Sequence, residues 1–233
     1  MPSRSERPPG KTRTAVHRTA GLILAAGASR RLGRPKQLLP YGRGVLLDAV
    51  LAAASGCGFD QTVLALGGSA AEVQRTVDTT GCEVVLNPDF GAGCSSSIAA
   101  GIAALHPDTD AVVLLLGDQP GVRAESVREL LDLLSPGTTG ETGETGGPGG
   151  TGRGRPVPGI AVCRYDDGVG HPLAFTRRLL PELAALHGDK AVWKLLEQRA
   201  DDVVELRVPG PVPPDVDTEE DYRRLLAGLE GAL

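Results

Sequence analysis

Residues 21–40, GLILAAGASRRLGRPKQLLP, constrain this chain more than any other stretch. Leu22, Ile23, Leu24 and Ala25 form a short apolar run that reads as a strand buried on both faces, as in a parallel sheet. Small residues then take over. Ala26, Gly27, Ala28 and Ser29 leave their backbone N–H groups uncovered, so anionic oxygens can approach a concave nest of donors. Arg30, Arg31, Arg34 and Lys36 place four cations within seven positions, a density suited to spreading the charge of a polyphosphate over several donors, and Pro35 stiffens the loop before Lys36. A basic surface turn between strand and helix is the plain alternative.

Two common phosphate motifs do not fit. The dinucleotide fingerprint needs G-x-G-x-x-G, whereas Gly27 is followed by Ala28, Ser29, Arg30, Arg31 and Leu32. The P-loop needs G-x-x-x-x-G-K-[ST]; the interval from Gly27 to Gly33 is one residue too long, and Arg34 and Pro35 follow.

Apolar runs alternate with Ala/Leu-rich helical stretches along the chain. Strands are predicted at Leu22 to Ala25, Thr62 to Leu66, Glu83 to Leu86, Ala111 to Leu116 and Ile160 to Cys163. Helices are predicted near Val45 to Ser55, Ala70 to Val77, Ser95 to Leu105, Ala124 to Leu134 and Tyr222 to Leu229. Such alternation predicts a single α/β domain over residues 20–233, with a doubly wound, mostly parallel sheet of Rossmann-like form. Its 233 residues and 41% hydrophobic content suffice for a sizeable core, which 3% aromatics make largely aliphatic. The segment at about 135–157 is too rich in Gly, Thr and Pro to offset chain entropy by burial and is expected to be a disordered loop.

Charge and cysteines narrow the class. Residues 1–19 carry Arg4, Arg7, Lys11, Arg13 and Arg18 against Glu6, a local +4 within a total of −5, so the remainder sums to −9. This predicts a disordered basic tail on an acidic body, which is not the charge pattern of a general nucleic-acid binder. Cys57, Cys82, Cys94 and Cys163 form no C-x-x-C pair, which argues against zinc or disulfide frameworks. Neither a secretory h-region nor an apolar run of membrane-spanning length is apparent, so a cytoplasmic protein with no membrane partner is expected.

Two carboxylate segments carry candidate chemistry. Leu114-Leu115-Leu116-Gly117-Asp118-Gln119-Pro120 ends a buried strand on a carboxylate, and in open α/β sheets ligands sit beyond the carboxyl ends of strands. Asp118 there would suit Mg²⁺, which favours one or two carboxylates plus substrate phosphates; it would equally serve as a cap for a helix beginning near Val122. Asp217, within Pro214 to Tyr222, is either a second metal ligand or a helix starter with Thr218. Between these segments, Asn87 to Ile98 bends through glycines and opens a helix with Ser95, Ser96 and Ser97, an anion site or an ordinary cap. Gly170-His171-Pro172 follows a turn, and a lone histidine is more often structural than functional.

The pattern L-A-A-G-x-S-x-R-L-G-x-P-K-x-L-L-P, with N-P-D-x-x-x-G-x-x-x-S-I, G-D-Q-P, G-H-P and D-V-D-T-x-E-D-Y in order, resembles the MobA-like nucleotidyltransferases, in particular the molybdenum cofactor cytidylyltransferases. The resemblance covers residues 20 to 134 and 158 to 228; Leu32 stands where Met is usual. It implies transfer of CMP from CTP to the phosphate of molybdopterin or molybdenum cofactor, with pyrophosphate leaving and Mg²⁺ as cofactor. By this resemblance Leu24, Ala25, Ala26, Gly27, Ala28, Ser29, Arg31 and Lys36 hold the nucleotide, and Asp118 and Asp217 hold the metal. Arg31, Lys36 and Asp118 then serve catalysis, while Asn87, Ser97, Gln119, Gly170, His171 and Pro172 face the acceptor. Ala26 is similar to the cytidylyl pattern A-A-G, where guanylyl enzymes read L-A-G-G. An apo-molybdenum hydroxylase would receive the product. Alternatives are an NAD(P)H-dependent reductase resembling nicotine blue oxidoreductase, transfer from GTP or to another phosphorylated acceptor, and a non-catalytic cofactor carrier.

Overall fold

Residues 18–135 and 157–230 are described by a computed structural model. The basic tail up to residue 17 and residues 136–156 of the Gly/Thr-rich loop lie outside the described residues. In chain order the elements are β1 (Thr19–Ala25), β2 (Pro40–Tyr41), β3 (Gly44–Val45), α1 (Leu46–Ser55), β4 (Gln61–Leu66), α2 (Ala70–Thr76), β5 (Glu83–Leu86), α3 (Cys94–Ala103) and β6 (Ala111–Leu116). They continue with α4 (Ala124–Leu133), β7 (Ile160–Arg164), β8 (Val169–Thr176), α5 (Leu180–Ala184), α6 (Ala191–Gln198), β9 (Val203–Arg207) and α7 (Glu219–Glu230). Thr19, assigned to the tail on sequence, already opens β1.

The seven-stranded sheet runs β5-β4-β1-β6-β8-β7-β9. Strands β1, β4, β5 and β6 pair in parallel; β8 is antiparallel to both β6 and β7, and β7 pairs in parallel with β9. Alternate side chains of each central strand enter opposite layers, which is why their sequences are continuously apolar. Ile23, Leu64, Val113 and Leu115 pack with Leu47 and Val50 of α1, Val73 of α2 and Val127 and Leu130 of α4. Leu22, Val63, Val112 and Leu114 pack with Ile98 of α3, Leu183 of α5 and Val192 and Leu195 of α6. The chain crosses from β5 to β6 over β1, so β1 and β6 diverge at a switch point whose carboxyl edge opens a crevice.

Three features depart from the sequence reading. Gly170-His171-Pro172 does follow a turn but lies inside a strand, β8, that was not expected, and the pairing of Leu114 with Leu173 carries His171 toward the same sheet edge as Leu116. The β2–β3 hairpin, α5 and β9 had no distinct signal, being short or weakly patterned, and α6, though amphipathic with Ala191, Val192 and Leu195 buried, was not expected. Finally, α7 folds back over the start of α1: Val216, Tyr222 and Leu225 pack on Leu39 and Leu46, and the Tyr222 hydroxyl donates to Pro40 O at 2.5 Å. That contact carries the end of the chain to the β1 loop.

Gly101 lets α3 approach the sheet. A Cβ at this position would fall within the Leu22 side chain, meeting Cδ1 most closely, Cδ2 at 2.7 Å and Cγ at 3.1 Å, and Leu22 is fully buried. Gly101→Ala therefore gains about 1 kcal/mol in helix propensity but loses about 1–3 kcal/mol to overpacking. A net loss of stability is expected in urea unfolding; a stabilised variant would contradict the close packing.

Candidate functional site

The crevice at the carboxyl edges of β1 and β6 has a volume of about 750 Å³. One wall is the β1 loop, with Leu24, Ala25, Ala26, Gly27, Ala28 and Arg30. The floor is Leu116, Gly117 and Asp118, and the opposite wall carries Phe90, Gly93, Cys94 and Ser97.

Several local interactions shape the β1 loop. Ser29 adopts φ 50°, and its carbonyl accepts the amides of Leu32 and Gly33 at 3.0 and 3.1 Å, turning the chain tightly. Its hydroxyl accepts the Lys36 amide at 3.0 Å. Gln37, 2% exposed, donates its side-chain amide to Ala25 O at 2.6 Å and Gly27 O at 3.4 Å. Ser29 thus braces the loop from behind and does not line the crevice. Arg34 turns outward to Glu219 at 3.1 Å and lies 6.0 Å from the Tyr222 ring centroid, so it docks α7 and leaves Arg30, Arg31 and Lys36 to the crevice.

The chemical centre is an ionic cluster built from three distant segments. The Lys36 ammonium donates to Asp118 Oδ2 at 2.6 Å and Asp217 Oδ1 at 2.9 Å, and the Arg31 guanidinium donates to Asp217 Oδ2 at 2.6 Å. Asp118 Oδ2 also accepts the Val216 amide at 3.3 Å. Burial raises Asp118 above the ordinary carboxylate range, against the opposing pull of Lys36. Burial disfavours the charge on Lys36 as well, yet Asp118 and Asp217 together hold its pKa above the usual lysine value. Asp217 is less buried; desolvation works against its ionisation, but Lys36 and Arg31 outweigh it and hold the carboxyl below its usual value.

This geometry excludes a capping role for both carboxylates. Asp118 does not cap the following helix, because α4 starts at Ala124 and Asp118 faces Lys36. The cap of α7 belongs to Thr218 and Asp221, whose side chains exchange bonds with each other's amides at 2.8 and 3.2 Å, leaving Asp217 to the crevice.

Among the described residues no group of three or more His, Cys, Asp or Glu side chains could hold a metal. Asp118 and Asp217 nevertheless converge on a single cation, which fits an ion that completes its shell with substrate phosphates. Asp118 and Asp217 are the residues that would hold it.

On the opposite wall, buried Asn87 donates to the Ser96 and Ser97 hydroxyls, both at 2.9 Å. Ser96 spends its own hydroxyl on Asp89 O and Gly93 O, so Ser97 is the hydroxyl of this set that lines the crevice, with Asn87 behind it. Gln119 likewise supports from outside, donating to Pro213 O at 2.8 Å beneath the Asp215–Asp217 segment. Gly170, His171 and Pro172 do not line the crevice. The His171 ring meets Trp193 edge-on with centroids 5.9 Å apart, and burial pushes its pKa down to about 4. Burial also pushes the Cys94 thiol up, which keeps it protonated and poorly nucleophilic.

The sequence reading missed Asp189 and Lys190, which enter the crevice from the segment before α6. Asp189 accepts the Cys94 amide at 3.0 Å, and a Cβ on Gly93 would lie 2.7 Å from the same oxygen. This contact joins residues 95 positions apart, and no local pattern encodes it.

A nucleotide-sized crevice at the switch point of a mostly parallel sheet, with a small-residue basic loop on one side and paired carboxylates on its floor, defines a nucleotide-binding α/β protein. The chain belongs to the MobA-like NTP transferase family, whose domain model matches residues 21–203. Nicotine blue oxidoreductase of Paenarthrobacter nicotinovorans is 41% identical over 119 residues, which is 50% of this chain and 57% of that protein. The molybdenum cofactor cytidylyltransferase of Escherichia coli K12 is 29% identical over 118 residues, covering 50% and 59% of the two chains. The chain thus matches less than two thirds of either curated relative. The crystal structure of Rv0371c from Mycobacterium tuberculosis H37Rv superposes with a TM-score of 0.78 at 44% identity, covering 91% of this chain and 98% of that one. A further structure of Rv0371c is a complex with manganese, with a TM-score of 0.74 and 42% identity over 90% and 98% of the chains. No helix among the described residues is long and apolar enough to cross a membrane.

The lowered pKa of His171 makes a signed prediction. With a folded value of about 4 against 6.5 for the free side chain, the unfolded chain binds the proton first as pH falls. Stability contributed by neutral His171 is complete above pH 6.5 and is lost progressively down to about 4. Denaturant unfolding of the wild type should weaken more steeply through this window than that of His171→Gln; parallel pH profiles would show that the imidazole is not held neutral.

Proposed function

We propose that this protein transfers CMP from CTP to the phosphate of a molybdopterin-type acceptor and releases pyrophosphate. The observation that carries the reading is Lys36 bridging Asp118 and Asp217 beside the Gly27 loop, a cluster that supplies both cations for phosphate oxygens and carboxylates for a divalent ion. Mg²⁺ is the ion we assign. The manganese complex of the similar Rv0371c supports a divalent-metal site of this kind.

In this reading the backbone of Ala26, Gly27 and Ala28 cradles the triphosphate, and Arg31 and Lys36 neutralise the departing pyrophosphate. When bound, the ion supplies charge neutralisation at the α-phosphate. The acceptor needs no strong general base, because a phosphate monoester with a second pKa of about 6 is already ionised near neutrality. What the chain must provide is in-line alignment and electrostatic stabilisation. Ser97, oriented by Asn87, meets the acceptor from the opposite wall, while His171 is a neutral imidazole packed on Trp193 outside the crevice lining. Loaded cofactor would pass to an apo-molybdenum hydroxylase.

Ala26 selects the base. It lines the crevice and is 5% exposed, with its carbonyl against Gly67, so its methyl group has little room to move away from a larger ring. Ala26→Gly should broaden acceptance from CTP toward GTP in a competition assay; unchanged CTP preference would refute this mechanism.

A second reading is supported by the 41% identity to nicotine blue oxidoreductase, with a nicotinamide dinucleotide in the same crevice. The β1 loop lacks the G-x-G-x-x-G that a dinucleotide pyrophosphate usually requires. One experiment separates the two: pyrophosphate release with Mg²⁺ and molybdenum cofactor, using CTP, GTP or ATP, with NADH oxidation followed in parallel. Release with CTP, lowered roughly 100-fold or more by Asp118→Asn, is expected. NADH consumption with a quinonoid acceptor and no pyrophosphate would favour the reductase.

A further inference from the structure

The Lys36 ammonium lies between the two carboxylates that the proposed function assigns to the divalent ion, 2.6 Å from Asp118 and 2.9 Å from Asp217. Its side chain is 16% exposed and that of Asp118 7%, so this is a largely desolvated contact. With Arg31 on the other oxygen of Asp217, two cations and two anions are directly paired, and Asp215 adds a further carboxylate nearby. We infer that Lys36 is a stand-in cation, which weakens the hold of the carboxylate pair on a free divalent ion and gives up its place when a nucleoside triphosphate arrives to take the lysine. The inference rests on the metal-dependent reading of this site but on no particular base or acceptor.

Each newcomer leaves a different charge behind. An ion entering alone would displace Lys36 and strand an ammonium in a site where burial already opposes its charge; an uncompensated charge of that kind is strongly unfavourable. If Lys36 stayed, the ion would add two positive charges beside an ammonium and a guanidinium already paired with the two carboxylates. A triphosphate removes both penalties, because its oxygens give Lys36 and Arg31 new partners as the carboxylates turn to the ion. The stem of Lys36 is suited to the exchange, since it packs beside Gly27, whose added Cβ would lie 3.6 Å from Lys36 Cε. Lysine is a point charge on a flexible chain and can move from one set of oxygens to another without the directional demands of a guanidinium. Coupling between two ligands is reciprocal, so the ion must raise nucleotide affinity by the same factor that the nucleotide raises ion affinity.

The test is direct binding of Mn²⁺, read by the loss of its free electron paramagnetic resonance signal, with no turnover required. Wild-type protein without nucleotide should bind Mn²⁺ weakly, and CTP should tighten it by roughly tenfold or more. Lys36→Met should bind Mn²⁺ alone roughly tenfold or more tightly than wild type, because two bare carboxylates then face the crevice. Lys36→Arg, which keeps the charge, should stay close to wild type. Adding Asp118→Asn to Lys36→Met should remove the gain and so locate the ion, with thermal unfolding confirming that each variant is folded. Mn²⁺ binding by Lys36→Met no tighter than by wild type would overturn the inference. Failure of the metal-dependent reading looks different: no Mn²⁺ would bind to wild type, with or without CTP, and Asp118→Asn would change nothing.

Discussion

The placement of one ammonium group governs this structure. Lys36 joins residues 82 and 181 positions away in the chain, tying the β1 loop, the end of β6 and the segment before α7 into one cluster. Each segment arrives there for a different reason. The β1 loop follows from a buried strand broken by small residues, and Asp118 follows from the end of a neighbouring strand at the switch point. Asp217 arrives because α7 lays Val216, Tyr222 and Leu225 on Leu39 and Leu46, an apolar contact with no chemistry of its own. Packing thus delivers the second carboxylate, and the electrostatics of the site depend on it.

The two carboxylates differ for the same reason. Asp118 sits on the floor, where desolvation dominates and lifts its pKa; Asp217 sits nearer solvent, between Lys36 and Arg31, and is driven toward full ionisation. A cluster of this kind contributes little to stability for its cost in desolvation. Its worth lies in holding charged groups ready to exchange partners, which suits a site that must admit a polyanion and release another.

Legibility in the sequence followed the physics of burial. Strands β1, β4 and β6 were visible because both faces are covered by helices, so their residues are apolar without alternation; the helices between them followed from their Ala/Leu-rich composition. Beyond residue 157 the signal weakened. Strand β8 carries His171 and Pro172 and read as the sequel to a turn, and β9, Val-Val-Glu-Leu-Arg, is half exposed at the sheet edge. In the site, Lys36 and Asp118 were legible from their places at loop and strand ends. Asp217 is not the cap of α7, because Thr218 and Asp221 take that place. Asp189 and Lys190 were invisible, since Asp189 meets the crevice wall through a long-range hydrogen bond from the Cys94 amide, and the support given by Asn87, Gln119 and Gln37 is a property of tertiary hydrogen bonds.

The most direct test of this account is a crystal structure with Mg²⁺ and a non-hydrolysable CTP analogue. The account requires the triphosphate against Gly27 and Ala28, Lys36 released from Asp118 and Asp217 onto phosphate oxygens, and the ion held by those two carboxylates. A structure with the nucleotide bound and the Lys36 ammonium still between Asp118 and Asp217, or with the triphosphate away from the β1 loop, would contradict it.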